Sequence, residues 1–240
     1  MKIALCLSGL IRNFNPNFFL NINGDVDVFC HTWDYCDVSS LNRLNPKEIK
    51  VETDDNAFIF TNITLVDWPH NCSSPAKNIY KMYYGMKRCI EMVESYENKN
   101  NFKYDLIIRS RYDIRANTNH SGIINHPNGS FDLSTVECKN KNIIFPLKGF
   151  WVGKSIDLKL YRYKNNTDDT DDRIIRVNDS YFIGNDACRI LCKTYDHFDL
   201  LKNHYNAVLH NENLIAHMCL HYNIDIILKN FECNLCRNNR

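Results

Sequence analysis

The opening apolar run constrains the fold most. Ile3-Ala4-Leu5-Cys6-Leu7 is apolar at every position and stops at Ser8-Gly9. A strand that is apolar on both faces must be covered on both faces, the condition of a parallel strand between helical layers. Residues 106–108, 143–145 and 181–183 repeat the pattern as short apolar runs, and 26–29 and 224–228 are mainly apolar strand candidates interrupted by Asp27 and Asp225. Residues 58–60 and 63–66 add one or two strands before a Trp68-Pro69 turn, whereas 36–56 is polar and reads as loop.

Helices fall between these runs. Ser74 is a good N-cap, and Pro75 suits the first helical position. Ile79, Met82, Tyr83, Met86, Ile90 and Val93 then recur at spacings of three and four, one apolar stripe that ends near Tyr96 before the polar run 97–101. Asn185 or Asp186 opens a second helix through Tyr195. Asn211 caps a third, with Leu214, Ile215, Met218 and Tyr222 inward. Strands alternating with helices predict an α/β fold with a mainly parallel sheet.

Composition removes other classes. The chain has 240 residues, enough for one large domain. Its 29 Lys+Arg balance 28 Asp+Glu, so it lacks the basic footprint of a nucleic-acid binder. No apolar run reaches the roughly 18 residues of a membrane span, and the first run is short for a signal peptide. The eleven Cys are scattered, as expected for reduced thiols in a cytoplasmic compartment. Cys233 and Cys236 form a Cys-x-x-Cys with no second pair to complete a zinc site, and the acidic run 168–172 reads as a solvated loop.

In open α/β sheets ligands bind beyond the carboxyl ends of the strands. The first strand delivers Ser8, Gly9 and Arg12 there. The second delivers His31, Thr32, Trp33 and Asp34, and the strand at 106–108 delivers Arg109, Arg111 and Asp113. Glycine allows close backbone approach, guanidinium groups match phosphate oxygens, and a carboxylate can hold a hard cation. This chemistry suits a nucleoside diphosphate. The plain alternative is an Arg109–Asp113 ion pair at a sheet end, with Trp33 in the core. Tyr80, Lys81 and Tyr84 on the long helix are further candidates for touching the base or phosphates.

The run Lys2-Ile3-Ala4-Leu5-Cys6-Leu7-Ser8-Gly9-Leu10-Ile11-Arg12-Asn13-Phe14 resembles the start of small glycosyltransferase-like proteins of large DNA viruses and bacterial polysaccharide clusters. Asp27-Val28-Phe29-Cys30-His31-Thr32-Trp33 is similar to their second strand with its His-x-Trp end. The Lys81-Met82-Tyr83-Tyr84 helix and the strand running from Tyr104 to Asp113 follow in order. Asn178-Asp179-Ser180-Tyr181-Phe182-Ile183-Gly184 resembles an Asp-x-Phe-x-Phe-Gly segment, and His210-Asn211-Glu212-Asn213-Leu214 a Pro-Glu-x-x-Leu segment.

The resemblance implies a GT-A-like, Rossmann-like form of that α/β fold, its mixed, mainly parallel sheet flanked by helices, with residues 1–114 as the nucleotide-sugar-binding half and 115–240 as the acceptor-binding half. It implies transfer of a sugar from a nucleotide-diphosphate donor, uridine or a similar pyrimidine, to a glycan or other hydroxyl. The location would be the cytoplasm, the host's for a viral protein. Donor binding then falls to Ser8, Gly9, Arg12, His31, Thr32, Lys81, Arg109 and Arg111. The family's Asp-x-Asp metal motif is matched by Arg111-Tyr112-Asp113, which leaves Asp113 as the ligand for Mn or Mg and replaces one carboxylate by a cation. The arginines are the alternative bearers of the metal's role on the leaving diphosphate. Asp179 is the first candidate base and Glu212 the second. Asp179 precedes its strand, so it reaches the catalytic edge only if that strand runs antiparallel. The rival reading is a module that holds a nucleotide or glycan without turnover. A sugar nucleotidyltransferase would need a longer Gly-rich loop than Ser8-Gly9.

Overall fold

The computed structural model describes residues 1–20, 22, 24–58, 68, 75–116, 141–146, 179–205, 207, 209, 211–229 and 233–235. The strands expected at 59–66, the Ser74 cap, Pro69, the acidic run 168–172 and Cys236 lie outside them.

The chain folds in the order β1 (Lys2–Ser8), α1 (Pro16–Leu20), β2 (Asp25–Trp33), β3 (Glu48–Glu52), α2 (Ala76–Asn100), β4 (Leu106–Ser110), β5 (Ile114–Ala116), β6 (Asn142–Pro146), β7 (Tyr181–Gly184), α3 (Asp186–Cys192), α4 (Phe198–Asn203), α5 (Asn211–Tyr222), β8 (Asp225–Lys229) and β9 (Cys233–Leu235). Seven strands form one sheet in the order β3-β2-β1-β4-β7-β6-β8. Pairings β2–β3, β1–β2, β1–β4 and β6–β8 are parallel, and β7 is antiparallel to both neighbours, β4 and β6. The expected halves, 1–114 and 115–240, thus contribute adjacent strands, β4 and β7, to a continuous sheet. β5 and β9 pair separately, antiparallel.

The opening run behaves as its composition requires. Ala4 and Cys6 enter a core built with α2, α3, α4 and α5. Ile3, Leu5 and Leu7 enter the core on the opposite face, with Phe18 and Phe19 of α1 and Leu41 and Leu44 of a 3-10 turn. Both faces of β1 are therefore covered. Helix α2 lays Ile79, Tyr83, Met86, Ile90 and Val93 into the first core, as the stripe predicts.

Several boundaries differ from expectation, and one strand is new. β2 continues through His31, Thr32 and Trp33 because β3 pairs with it, from Phe29↔Glu48 to Trp33↔Glu52. β3 itself lies in the segment read as loop. It is an edge strand whose alternation of charged and apolar residues leaves Val51 exposed, so no apolar run marks it. β4 likewise continues through Arg109 and Ser110, paired to β7. Helix α2 starts at Ala76 rather than Pro75 and runs four residues past Tyr96, to Asn100. Its last turn is kept by Glu97, a buried member of the polar run, which receives Arg189 NH1 at 2.8 Å, Arg189 NH2 at 2.7 Å and the Tyr104 amide at 2.8 Å. Asn101 then ends the helix in the left-handed region at φ 53°. The helix expected over 185–195 stops at Cys192. A 3-10 turn over Thr194–His197 follows, Thr194 Oγ1 donating to the Leu191 carbonyl at 2.6 Å, before α4 begins. Asn211 is the first residue of α5 rather than its cap, a difference of one residue.

Among the described residues no helix is long and apolar enough to cross a membrane.

Candidate functional site

The carboxyl ends of β1, β2 and β4 are tied together by one side chain. Tyr112, the middle residue of the Arg-Tyr-Asp tripeptide, is fully buried, and its hydroxyl lies 3.1 Å from both the Leu7 and the His31 carbonyl oxygens. Its burial leaves the flanking Arg111 and Asp113 at the sheet edge. Gly9 turns the chain away from β1 at φ 120°, a conformation L side chains rarely adopt; a Cβ there would meet nothing within 4 Å, so backbone geometry alone requires glycine. The Gly9 amide donates to the His31 carbonyl at 3.2 Å, and Thr32 Oγ1 donates to the Gly9 carbonyl at 2.9 Å.

Above these ends is a cleft of about 160 Å³, lined among others by Ser8, Gly9, Arg12, Lys81, Arg111 and Asp113. Six of the nine residues assigned from sequence to donor or metal thus share one wall system. Ser8 Oγ is buried and has no hydrogen-bond partner among the described residues. The Asp113 carboxylate is 3% exposed and held by two guanidinium groups. Arg111 donates from Nε to Oδ1 and from NH2 to Oδ2, each at 2.8 Å. Arg12, 56% exposed, donates from Nε to Oδ2 at 3.2 Å. Burial works against the Arg111 charge, but the Asp113 carboxylate outweighs it and raises the guanidinium above its ordinary value. Lys81 pairs with Asp54 and stands 5.7 Å from the ring centres of Trp33 and Tyr35. Tyr35, mostly exposed, is steadied by its hydroxyl donating to Asp54 Oδ1 at 3.0 Å.

Three residues expected to touch donor are interior instead. His31 is buried, its Nε2 3.0 Å from Glu52 Oε2. Arg88 Nε donates to the same oxygen at 3.0 Å. Burial lowers the His31 pKa against the opposing Glu52 hydrogen bond. Burial alone would raise Glu52, but the His31 and Arg88 hydrogen bonds bring it down to about 2. Thr32 is buried and acts on the Gly9 backbone. Arg109 is fully buried on the helical side of β4, with NH1 donating to the Asp179 carbonyl and its plane 5.8 Å from the Phe182 ring centre. Its Nε and NH2 have no partner among the described residues. Burial lowers its pKa and the Asp179 charge opposes that. The common cause is that β2 and β4 run past the apolar residues that mark them, so His31, Thr32 and Arg109 are strand residues between packed layers. The alternative Arg109–Asp113 pair is not formed: Asp113 pairs with Arg111, and Arg109 turns to the Asp179 carbonyl. Tyr80 and Tyr84 are also core residues, Tyr84 donating to Glu52 Oε1 at 3.3 Å.

β7 runs antiparallel to β4, with Tyr181 opposite Ser110 and the Arg111 amide donating to the Ser180 carbonyl at 3.1 Å. Its amino end therefore meets the carboxyl end of β4, and Asp179 stands at the ligand edge. Asp179 is mostly buried and lies behind the lining: its Oδ2 accepts from Asn211 Nδ2 at 2.9 Å, and Asn211 faces the cleft. Glu212 is the next residue of α5, half-buried and outside the lining. Asn78, Asn211 and Tyr35 were missed from sequence, because each is an isolated polar or aromatic residue placed by long-range packing. Trp33, a core residue in the alternative reading, is buried and also borders the cleft.

The donor set does not suit Mn or Mg. Asp113 is the one carboxylate in the described lining, both its oxygens are engaged by arginine, and no cluster of three or more His, Cys, Asp or Glu able to hold a metal occurs among the described residues. A divalent cation there would face two guanidinium charges at contact range. No protein-family model matches the chain, and no curated protein matches it at a significant level.

Proposed function

We propose that the chain is a glycosyltransferase on a GT-A-like fold, moving a sugar from a nucleotide-diphosphate donor to a glycan or other hydroxyl acceptor. One observation carries this reading: the strand reversal at β7 brings a carboxylate, Asp179, to the edge where β1 and β4 present Ser8, Gly9, Arg12 and Arg111. Cations on one side and a carboxylate behind the other are what glycosyl transfer needs. The bond from the anomeric carbon to the diphosphate oxygen breaks, its electron pair stays on that oxygen, and nearby cations stabilise the charge. The acceptor oxygen forms the new bond. In an inverting displacement its proton passes to Asp179, whose Oδ2 already accepts a hydrogen bond from the cleft-lining Asn211. Thr32 holds the Gly9 turn and Arg109 holds the Asp179 backbone. The free, mostly buried cysteines among the described residues fit the reducing cytoplasm.

A thermal-shift screen of nucleoside diphosphates and nucleotide sugars tests the reading. A ligand at 100 times its Kd stabilises by about 2.7 kcal/mol. A response confined to nucleotide diphosphates and their sugars, with sugar release from one donor, supports it, and no response to any of them removes it. The rival, a binding module without turnover, is favoured by the enclosed position of Asp179. Donor binding with neither transfer nor hydrolysis selects it.

A further inference from the structure

The Arg12–Asp113–Arg111 unit occupies the place where the resemblance puts a metal. Among the described residues Arg111 uses two of its five N–H donors on Asp113 and Arg12 uses one, so both guanidinium groups keep donors there for another anion. Lys81 adds a third cation to the same cleft, and Ser8 Oγ adds a buried hydroxyl without a partner among the described residues. A diphosphate entering here meets charge and directional donors together.

We propose that this cleft binds the donor's diphosphate without a divalent cation. Arg12, Arg111 and Lys81 form the clamp, and Asp113 is a positioning residue that fixes the Arg111 fork rather than a metal ligand. The inference rests on reading the cleft as a nucleotide-diphosphate site. Planar guanidinium groups engage phosphate oxygens bidentately, and they neutralise the leaving diphosphate as the sugar bond breaks. Asp113 is enclosed by these arginines; its charge opposes the bound anion and its geometry serves it.

If Asp113 positions arginine, Asp113→Asn keeps one acceptor and loses the other, so the Arg111 fork loosens and affinity falls by the same factor in chelator and in Mn. If Asp113 ligates a metal, the change removes a gain in affinity that Mn gives the unaltered chain. Calorimetry on the full chain, with uridine diphosphate and with inorganic diphosphate, is run in chelator and in Mn. Expected are affinities that Mn does not change, in the unaltered chain and in Asp113→Asn alike, and about ten-fold weaker binding in Arg12→Ala, the scale of one charge-assisted hydrogen bond. Arg12 is largely exposed, so this variant remains informative if Asp113→Asn does not fold. Binding only with Mn, or a gain from Mn that the unaltered chain shows and a folded Asp113→Asn lacks, overturns the clamp and leaves the donor reading standing. Inorganic diphosphate held in chelator without any response to nucleotides supports the clamp and overturns the nucleotide reading. Failure of both probes overturns both.

Discussion

Asp179 is defined by what surrounds it. Its side chain accepts Ser180 Oγ at 3.1 Å and Asn211 Nδ2 at 2.9 Å, and its carbonyl accepts Arg109. In the proposed transfer an acceptor hydroxyl reaches that Oδ2 only past Asn211, because Asp179 lies behind the lining. Asp179→Asn retains the shape and removes the basicity. Donor binding is expected to persist while turnover falls by about 100-fold or more, the size of a lost positioned base. Parallel measurement of donor affinity and kcat checks this. Near-normal turnover in Asp179→Asn with a dead Glu212→Gln would transfer the role to Glu212. Residue type and nearness to a strand end were enough to pick out Ser8, Gly9, Arg12, Arg111 and Asp113 as cleft residues, while Lys81 came from the long helix. They were not enough for His31, Thr32 and Arg109, because a polar residue after an apolar run looks the same whether it leaves the sheet or remains in the ladder. Asn211 carries no local mark of its contact with Asp179, which lies 32 positions away.

Elements were legible where burial follows a local pattern along the chain. The α2 stripe is written in its three-and-four spacing, and β1 in its unbroken apolar run. β3 was hidden because an edge strand does not need a buried face. The last turn of α2 was hidden because the residue that anchors it is charged. Glu97 has a fully buried side chain gripped by the Arg189 fork, Lys103 and the Tyr104 amide. Burial alone would raise its pKa, yet these partners hold it lowered. Removing only Arg189 leaves the buried carboxylate to Lys103 and the Tyr104 amide, so Arg189→Met is expected to destabilise by at most about 3–5 kcal/mol, the scale for a buried charge that loses its partner. The double variant Glu97→Gln with Arg189→Met removes the charge as well and is expected to be less destabilised than Arg189→Met alone, a coupling that a double-mutant cycle by urea unfolding reads directly. Equal stability of the single and double variants would mean that Glu97 is not held by Arg189.

At the scale of the whole molecule, the α/β class followed from alternation, but the strand order β3-β2-β1-β4-β7-β6-β8 and the reversal of β7 did not, since pairing partners such as Ser110 and Tyr181 are far apart in sequence. The same long-range packing sets the pH response. Burial lowers the pKa of His31, His197 and His217, and His217 falls from 6.5 to about 4. His217 packs against the Tyr205 ring at 5.6 Å, and its buried Nδ1 has no partner among the described residues. Between pH 6.5 and about 4 the unfolded chain binds a proton at His217 that the folded chain refuses. Stability must therefore fall as pH drops through that window, by up to ~1.4 kcal/mol per pH unit for this group. Glu52, lowered to about 2, acts in a lower range: its contribution is complete above its ordinary 4.5 and is lost only as pH falls toward 2. Acid should thus weaken the fold first through histidine and later through the carboxylates. Urea unfolding at pH 7.5, 6.5, 5.5, 4.5, 3.5 and 2.5, chosen to span the windows of about 6.5–4 and about 4.5–2 set by those groups, separates the two ranges. His217→Gln is expected to flatten the loss above pH 4.5 while leaving the carboxylate limb in place. An unchanged slope in that variant would show that His217 takes up its proton in the folded chain and that the acid response comes from other groups.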